Sequence, residues 1–464
     1  MRTEHSDQCE PERIRDNRCA SCRLSAGTDL THGSLSRHLI RLTLPLIAGN
    51  MLQQLYNTID AFVVARYAGL AEFAAIGVAA AVMNLFLFAI AGACIGVTVL
   101  LAQLYGAGDE KTFKDEHFTA VSFGMAGAAA AGALGTAGTG PLLSLLCTPP
   151  EIFAFTQEYL RIVLLSLPAA FLYHFYSALF RAVGRVNVTL AILALAVILN
   201  LGLDIVFVAW WGMGIAGAAW ATLVAQAVSA LLSLLYLHMA LPQLMFGREN
   251  VGLHLALLGK TAHFSFVTGL QQTGLYIGKL AVQGAVNSMG TATISAYTAT
   301  MRIEAFVNSF GDSGAAATAV LTAQNFGAKD SGRVRLAFRQ SLIVLGVLGL
   351  LSSLLLWVLA GWASALLLGG ASGPAFDSAV SYLNIVALFY ILNFTGNTLA
   401  GYFDGVGRVS VTLLGTCTHI ALRAILAWVF IAEYGLDAVA VLTGLGWLLV
   451  NSIWALFYWR ERLE

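Results

Sequence analysis

Few residues in this chain are placed to do chemistry, and the first of them is Asp60. It lies well inside the apolar stretch NMLQQLYNTIDAFVVARYAG, residues 50–69. An ionised Asp near the centre of a bilayer costs roughly 2.5–3.5 kcal/mol on insertion scales, so it is rarely there without a function. Asp204, in LNLGLD, is a second such acid, with Asn200 one turn before it. Tyr56/Asp60, Asn200/Asp204 and Ala218/Thr222 are each four residues apart, so on helices each pair shares one face. By the helical rise, Asp60 lies ~9 Å inside its segment's end near Arg66, Asp204 ~8 Å from residue 209 and Thr222 ~13 Å from residue 213. Three segments thus bring polar oxygens to a shared depth. Two carboxylates, an amide, a hydroxyl and a carbonyl suit Na+; two carboxylates held close together also raise one pKa and suit a proton.

The elements that position these residues follow from composition. The chain has 464 residues, 58% hydrophobic and 11% charged, with a mean hydropathy of +0.77. A soluble protein carries about 25% charged residues, so long recurrent apolar runs here predict an all-α polytopic membrane protein. The runs fall near 39–65, 73–104, 119–146, 155–180, 187–209 and 213–240, and again near 261–287, 292–325, 336–369, 378–402, 409–431 and 438–459. About twelve transmembrane helices in two six-helix lobes are expected. Residues 1–37 form a polar tail expected to be disordered and cytoplasmic, 38–240 the N-terminal lobe, 241–258 a cytoplasmic linker and 259–464 the C-terminal lobe. The tail contains no apolar run that would make a cleavable signal. Its Cys19-x-x-Cys22, with Cys9 nearby, has no second pair and reads as reduced thiols; Cys94, Cys147 and Cys417 read as buried small hydrophobes.

Lys and Arg set the orientation. Of the 25 basic residues, 20 fall on the side that receives the tail, the 105–118, 181–186, 241–260, 326–335 and 403–408 connectors and the C-terminus. Both termini are therefore expected in the cytoplasm. Equal numbers of acidic and basic residues suggest no nucleic-acid partner.

The two halves repeat. Ala102-Gln-Leu-Tyr-Gly-Ala-Gly108 returns 221 residues later as Ala323-Gln-Asn-Phe-Gly-Ala-Lys329, and Val183-Gly-Arg-Val-Asn-Val-Thr189 returns 223 later as Val406-Gly-Arg-Val-Ser-Val-Thr412. Six segments per half give both halves one orientation, the parallel repeat of transporters whose lobes rock about a central cavity.

On LPLIAGNMLQQLYNTIDAFVVARYAG (44–69), AQLYGAGD (102–109), RAVGRVNVT (181–189), MRIEAF (301–306), AQNFGAKD (323–330) and DGVGRVSVT (404–412), the chain resembles the MATE (multidrug and toxic compound extrusion) family of the MOP flippase superfamily, closest to its prokaryotic DinF-like and MepA-like branch. The resemblance covers nearly everything after residue 37. It implies a secondary transporter, not an enzyme, that exports organic cations and other amphiphilic drugs by antiport with Na+ or H+, through alternating access, in the inner membrane of a prokaryote. It implies a cation site, with Na+ as a possible metal, at Asp60, Asn200, Asp204 and Thr222, flanked by Tyr56 and the Ala218 carbonyl. No other cofactor is implied. The expected partners are drugs and lipid, for a monomer.

The repeat bears on the acids too. The second-copy positions of Asp60, Asp204 and Asn200 are Ala281, Ala427 and Arg423, so the fold does not need these groups twice. The second half carries its own polar set, Lys279, Arg302, Glu304 and Asp312, read as an internally neutralised network with Lys279 as a salt-bridge partner. Gln53, Gln54, Asn57, Asn84, Tyr173, His174, Gln271, Gln272, Tyr276 and Asn287 are the expected lining of a substrate cavity, where aromatic rings would take planar cations. Two alternatives stand beside drug export: a lipid-linked oligosaccharide flippase of the same superfamily, and a channel or membrane enzyme. The membrane segments contain few basic residues, as a flippase for anionic lipids would not, and no nucleophile–base or phosphate-loop pattern.

Overall fold

The computed structural model describes residues 27–463 apart from 68, 147 and 253. Among these residues the chain is helical throughout its regular structure. α1 (Leu35–Tyr67), α2 (Leu70–Ala107), α3 (Glu110–Ala137), the short α4 (Thr139–Leu145), α5 (Pro150–Leu164), α6 (Leu167–Ala182), α7 (Val186–Asp204) and α8 (Gly214–Ala240) make the first half. Two 3-10 turns, Pro242–Leu244 and Arg248–Asn250, lead to α9 (Leu255–Asn287), α10 (Thr291–Gly327), α11 (Ser331–Leu368), α12 (Pro374–Ala387), α13 (Tyr390–Gly405) and α14 (Val409–Leu463).

Six of these helices are individually long and apolar enough to cross a membrane. The pairs α5–α6 and α12–α13, bent by 47° and 52°, qualify as two more when each is taken as one span. α1, α9 and α10 are 33, 33 and 37 residues long but more polar, and α14 is two helices joined across Gly435. By length and composition the described residues thus hold six to eight spans; the more polar α1, α9 and α10 and the second arm of α14 are what an expected count of twelve would add. The surface agrees: Ile343, Val347, Leu350, Leu354 and Val358 are all exposed on one face of α11, which is stable only against hydrocarbon.

Structural details recur at the repeat spacing. Asp109 caps α3 by accepting from the Thr112 N–H at 3.0 Å, and Asp330 caps α11 from the Arg333 N–H at 2.8 Å. Gly108 ends α2 with φ 68°; its counterpart after α10 is Lys329, held at φ 59° without a glycine's freedom.

Three local expectations need correction. The helix of the third span begins at Glu110, inside the segment read as a connector, and Asp115, Glu116 and His117 are buried on it. Two of them fasten the linker and one fastens the start of α9. Asp115 accepts from Asn250 Nδ2 at 2.6 Å, Glu116 from the Thr261 hydroxyl at 2.8 Å, and His117 Nδ1 meets the Leu244 carbonyl at 3.1 Å. Charges that resemble a loop in sequence are buried because the linker returns to satisfy them. Residues 27–34 of the tail are also ordered, with Leu30 only 1% exposed, because polar side chains of both halves take up their backbone groups. Cys417 is exposed, not buried; Cys94 is buried, and Cys9, Cys19, Cys22 and Cys147 lie outside the described residues.

Candidate functional site

α7 carries Asn200 and Asp204 on one face, and both are sealed from solvent, 2% and 0% exposed. With the Asn200 amide oriented to satisfy both its ends, Nδ2 donates to Asp204 Oδ2 at 3.0 Å and Oδ1 accepts from the Thr222 backbone N–H of α8 at 3.3 Å. The Thr222 hydroxyl donates to the Ala218 carbonyl at 3.0 Å, so that pair also lies on one face of α8. Directly after Asp204 the helix widens into a π-helical turn, Ile205–Trp210, with the Trp211 N–H reaching back to the Val206 carbonyl. Such turns concentrate where a regular ladder would block a functional group.

α1 lies against this cluster. Gly49 faces Leu190 and Leu193 of α7 at ordinary packing distance. Tyr56 is half-buried on α1. The side chains of Asn57 and Asp60 lie outside the described residues, although the helix itself runs through both. The second repeat shows the backbone relation at their equivalent level: Trp428, counterpart of Ile205, donates its indole N–H to the carbonyl of Ala281, counterpart of Asp60, at 3.2 Å. The counterpart of Asp204, Ala427, is fully buried beside it.

The other expected residues separate. Gln53, Gln54, Asn84, Tyr173, His174 and Gln272 are half-buried, and Tyr173 packs edge-on against His174. Tyr276 of α9 stacks on Phe88 of α2 with centroids 5.1 Å apart and donates to the Ala81 carbonyl at 3.4 Å, joining the two halves at mid-depth. Gln271 is instead buried in the second half, where its Nε2 donates to Thr416 Oγ1 at 3.1 Å. Asn287 is exposed at the end of α9 and accepts from Gln283 at 2.8 Å. Polarity within a span does not tell a cavity-facing residue from one bonded to a neighbouring helix.

The second-half polar set divides as well. Glu304 is buried within electrostatic reach of Arg423, which donates to the Tyr297 hydroxyl at 3.4 Å, and Tyr297 packs edge-on to Tyr382. Lys279, Arg302 and Asp312 are exposed, and no ion pair within 4.0 Å joins Lys279 to Glu304 or Asp312 among the described residues. Arg423 stands at the position equivalent to Asn200, so the basic group at this level comes from α14, where α9 was expected to supply it.

Sequence reasoning missed the half-buried Gln103 and the buried Gln324 and Leu30, which join the halves at the end nearest the tail. The motif containing both glutamines was visible as a repeat, but nothing in one chain's sequence shows that the copies face each other.

The described residues define an all-helical, multi-pass membrane protein with a buried oxygen cluster on α7 and α8 of its first half. The sequence profile of the MatE family matches residues 45–206 and again 268–429, more than half of the chain, and the protein belongs to that family. It is 27% identical over 445 residues to the probable multidrug resistance protein YpnP of Bacillus subtilis, spanning 93% of this chain and 96% of that one. It is 23% identical over 212 residues to the multidrug export protein MepA of Staphylococcus haemolyticus, spanning 44% and 45%. A MOP superfamily transporter from Pyrococcus furiosus has the same fold, with TM-score 0.86 at 20% identity over 94% of this chain and 97% of that one. So does an outward-facing multidrug resistance MATE transporter, with TM-score 0.87 at 20% identity over 94% and 97%.

Proposed function

We propose that this protein exports amphiphilic drugs, organic cations among them, from a bacterial cell by alternating access, driven by exchange for Na+ or H+. The observation that carries the coupling assignment is the sealed Asn200–Asp204 pair, bonded to the half-buried Thr222. A fully buried carboxylate in a membrane lobe is tolerated when a partner or a bound cation offsets its desolvation. The second repeat builds the same helices with Ala427 and Ala281 at the acid positions, which argues against a purely structural role. The relatives named as multidrug exporters support the substrate class. Asp60 from α1 would complete the site, with Tyr56 beside it.

Entry of a cation would draw α1 toward α7 and α8 and reset the first lobe. One charge moving down 100 mV supplies about 2.3 kcal/mol, enough for about a 50-fold drug gradient per charge. The excess of basic residues on the tail side supports placing both termini in the cytoplasm, with the chain working as a monomer in the inner membrane.

Dye efflux from proteoliposomes, with Na+ and pH gradients imposed separately, tests this reading. Asp204→Asn and Asp60→Asn are each expected to lower gradient-driven export at least tenfold while leaving the protein folded. Undiminished export in both variants would remove the coupling role.

A further inference from the structure

The two halves meet at the tail-side end through a pair of contacts that obey the internal repeat. Gln103 of α2 extends its amide across the interface and donates to the carbonyl of Gly405, the last residue of α13, at 2.9 Å. Its counterpart Gln324 of α10 donates in the opposite direction, to the carbonyl of Ala182, the last residue of α6, at 2.7 Å. Gly405 and Ala182 are themselves repeat equivalents, each ending the second arm of a bent pair. One turn on from each glutamine stands a glycine, Gly106 or Gly327, and a Cβ on either would overlap the backbone carbonyl of the opposing Gln324 or Gln103. The helices α2 and α10 therefore cross in backbone contact at this level.

Carbonyls at a helix C-terminus have no partner within their own helix, and a buried one needs another donor. Here each lobe supplies the donor for the other. If the halves separated at this end, water would reach both carbonyls and both amides, so the bonds are exchangeable. A strap adds an asymmetry. The Leu30 N–H donates to Gln324 Oε1 at 3.1 Å, and Asn325 Nδ2 donates to the Leu30 carbonyl at 3.3 Å. On the first lobe, the Thr28 N–H donates to the Val183 carbonyl at 2.9 Å and the Gly27 N–H to the Tyr105 hydroxyl at 3.1 Å. Residues 27–30 thus hold both lobes, and Gln324, 0% exposed, lies at the centre of the join.

We propose that Gln103 and Gln324 are the gating residues of the tail-side closure, each recognising the end of the opposite lobe's bent helix pair, and that Leu30 bolts the Gln324 half. The assignment rests on the alternating-access reading above, and it names the contacts that must break for the tail side to open. A static scaffold role would make the same bonds but would not tie them to the opposite end of the molecule.

The test reads conformation and needs neither drug nor ion gradient, so failure of export would not decide it. In a full chain freed of its native cysteines, one nitroxide pair at Lys111→Cys and Ser331→Cys reports the tail-side end. A second pair at Tyr67→Cys and Asn287→Cys reports the far end. All four positions are exposed. Gln103→Ala with Gln324→Ala removes two inter-lobe hydrogen bonds and is expected to lower the closed-to-open ratio by about tenfold. Tail-side distances lengthen while far-end distances shorten. Leu30→Asp, which expels the strap, shifts both pairs in the same senses. Distances unchanged in the folded double variant, or broadening at both ends without reciprocity, would overturn the assignment.

Discussion

Asn200 is the residue on which the buried cluster depends, because it is the group that donates to Asp204 and accepts from Thr222 at once. Asn200→Ala removes one hydrogen bond from Asp204 and one from the Thr222 N–H, each worth about 0.5–1.5 kcal/mol. The expected result is a lower unfolding midpoint in detergent and a smaller rise of that midpoint when Na+ is added, since a ligand stabilises only what it binds. Asp29 belongs to the other end of the molecule and responds to acid. Partial burial raises its carboxyl, but hydrogen bonds from Thr31 and His32 more than offset this and leave it below its ordinary value. A depressed carboxyl stabilises fully above its ordinary range and loses that contribution as pH falls through the lowered value. A nitroxide at Ser34 should therefore keep restricted motion at neutral pH and gain mobility only in acid.

Among the elements, the turn after α10 carries a strain that its repeat partner avoids. Lys329 occupies the left-handed region that Gly108 occupies after α2. Lys329→Gly is expected to stabilise the protein by up to about 1 kcal/mol, less what glycine gains in the unfolded chain, measured as a small rise in thermal midpoint. Gly327→Val acts oppositely. Its side chain would meet the Gln103 carbonyl, so the tail-side contact between α2 and α10 should open before either helix unfolds. The bends within the two split spans, each expected as one straight segment, differ in their local sequence. Pro168, at the start of α6, marks the first, whereas the break between α12 and α13 at residues 388–389 contains no proline. Helix boundaries were read well wherever apolar runs ended in polar connectors, and poorly at Glu110, where buried charges looked like a loop.

For the whole molecule, the all-helical, multi-pass membrane class and the repeat between halves could be read from sequence because a membrane helix writes about twenty apolar residues into the chain. The cluster at Asn200, Asp204 and Thr222 was legible for the same reason, since polar groups stand out inside such runs and helical spacing assigns their face. The joins between halves were not, because they depend on which surfaces meet. Gln271 was expected at a cavity and bonds Thr416, while Gln103 and Gln324 were read only as repeat markers. Inter-lobe hydrogen bonds among the described residues run from the tail-side end to mid-depth, with Tyr276 to Ala81 the outermost. Tyr276→Ala should therefore loosen the join at its outer limit and weaken export more in KM than in kcat, as dye-efflux titration would show.

The strap makes the amino terminus a handle. Since residues 27–30 are stitched to both halves at once, tension on the preceding residues is delivered to the seam and not to a single helix. A change within residues 27–30 would reach both halves, whereas one near Leu463 would touch a single helix of one half. Tags for purification, labelling or display therefore belong at the carboxyl end, away from the residues that hold both halves.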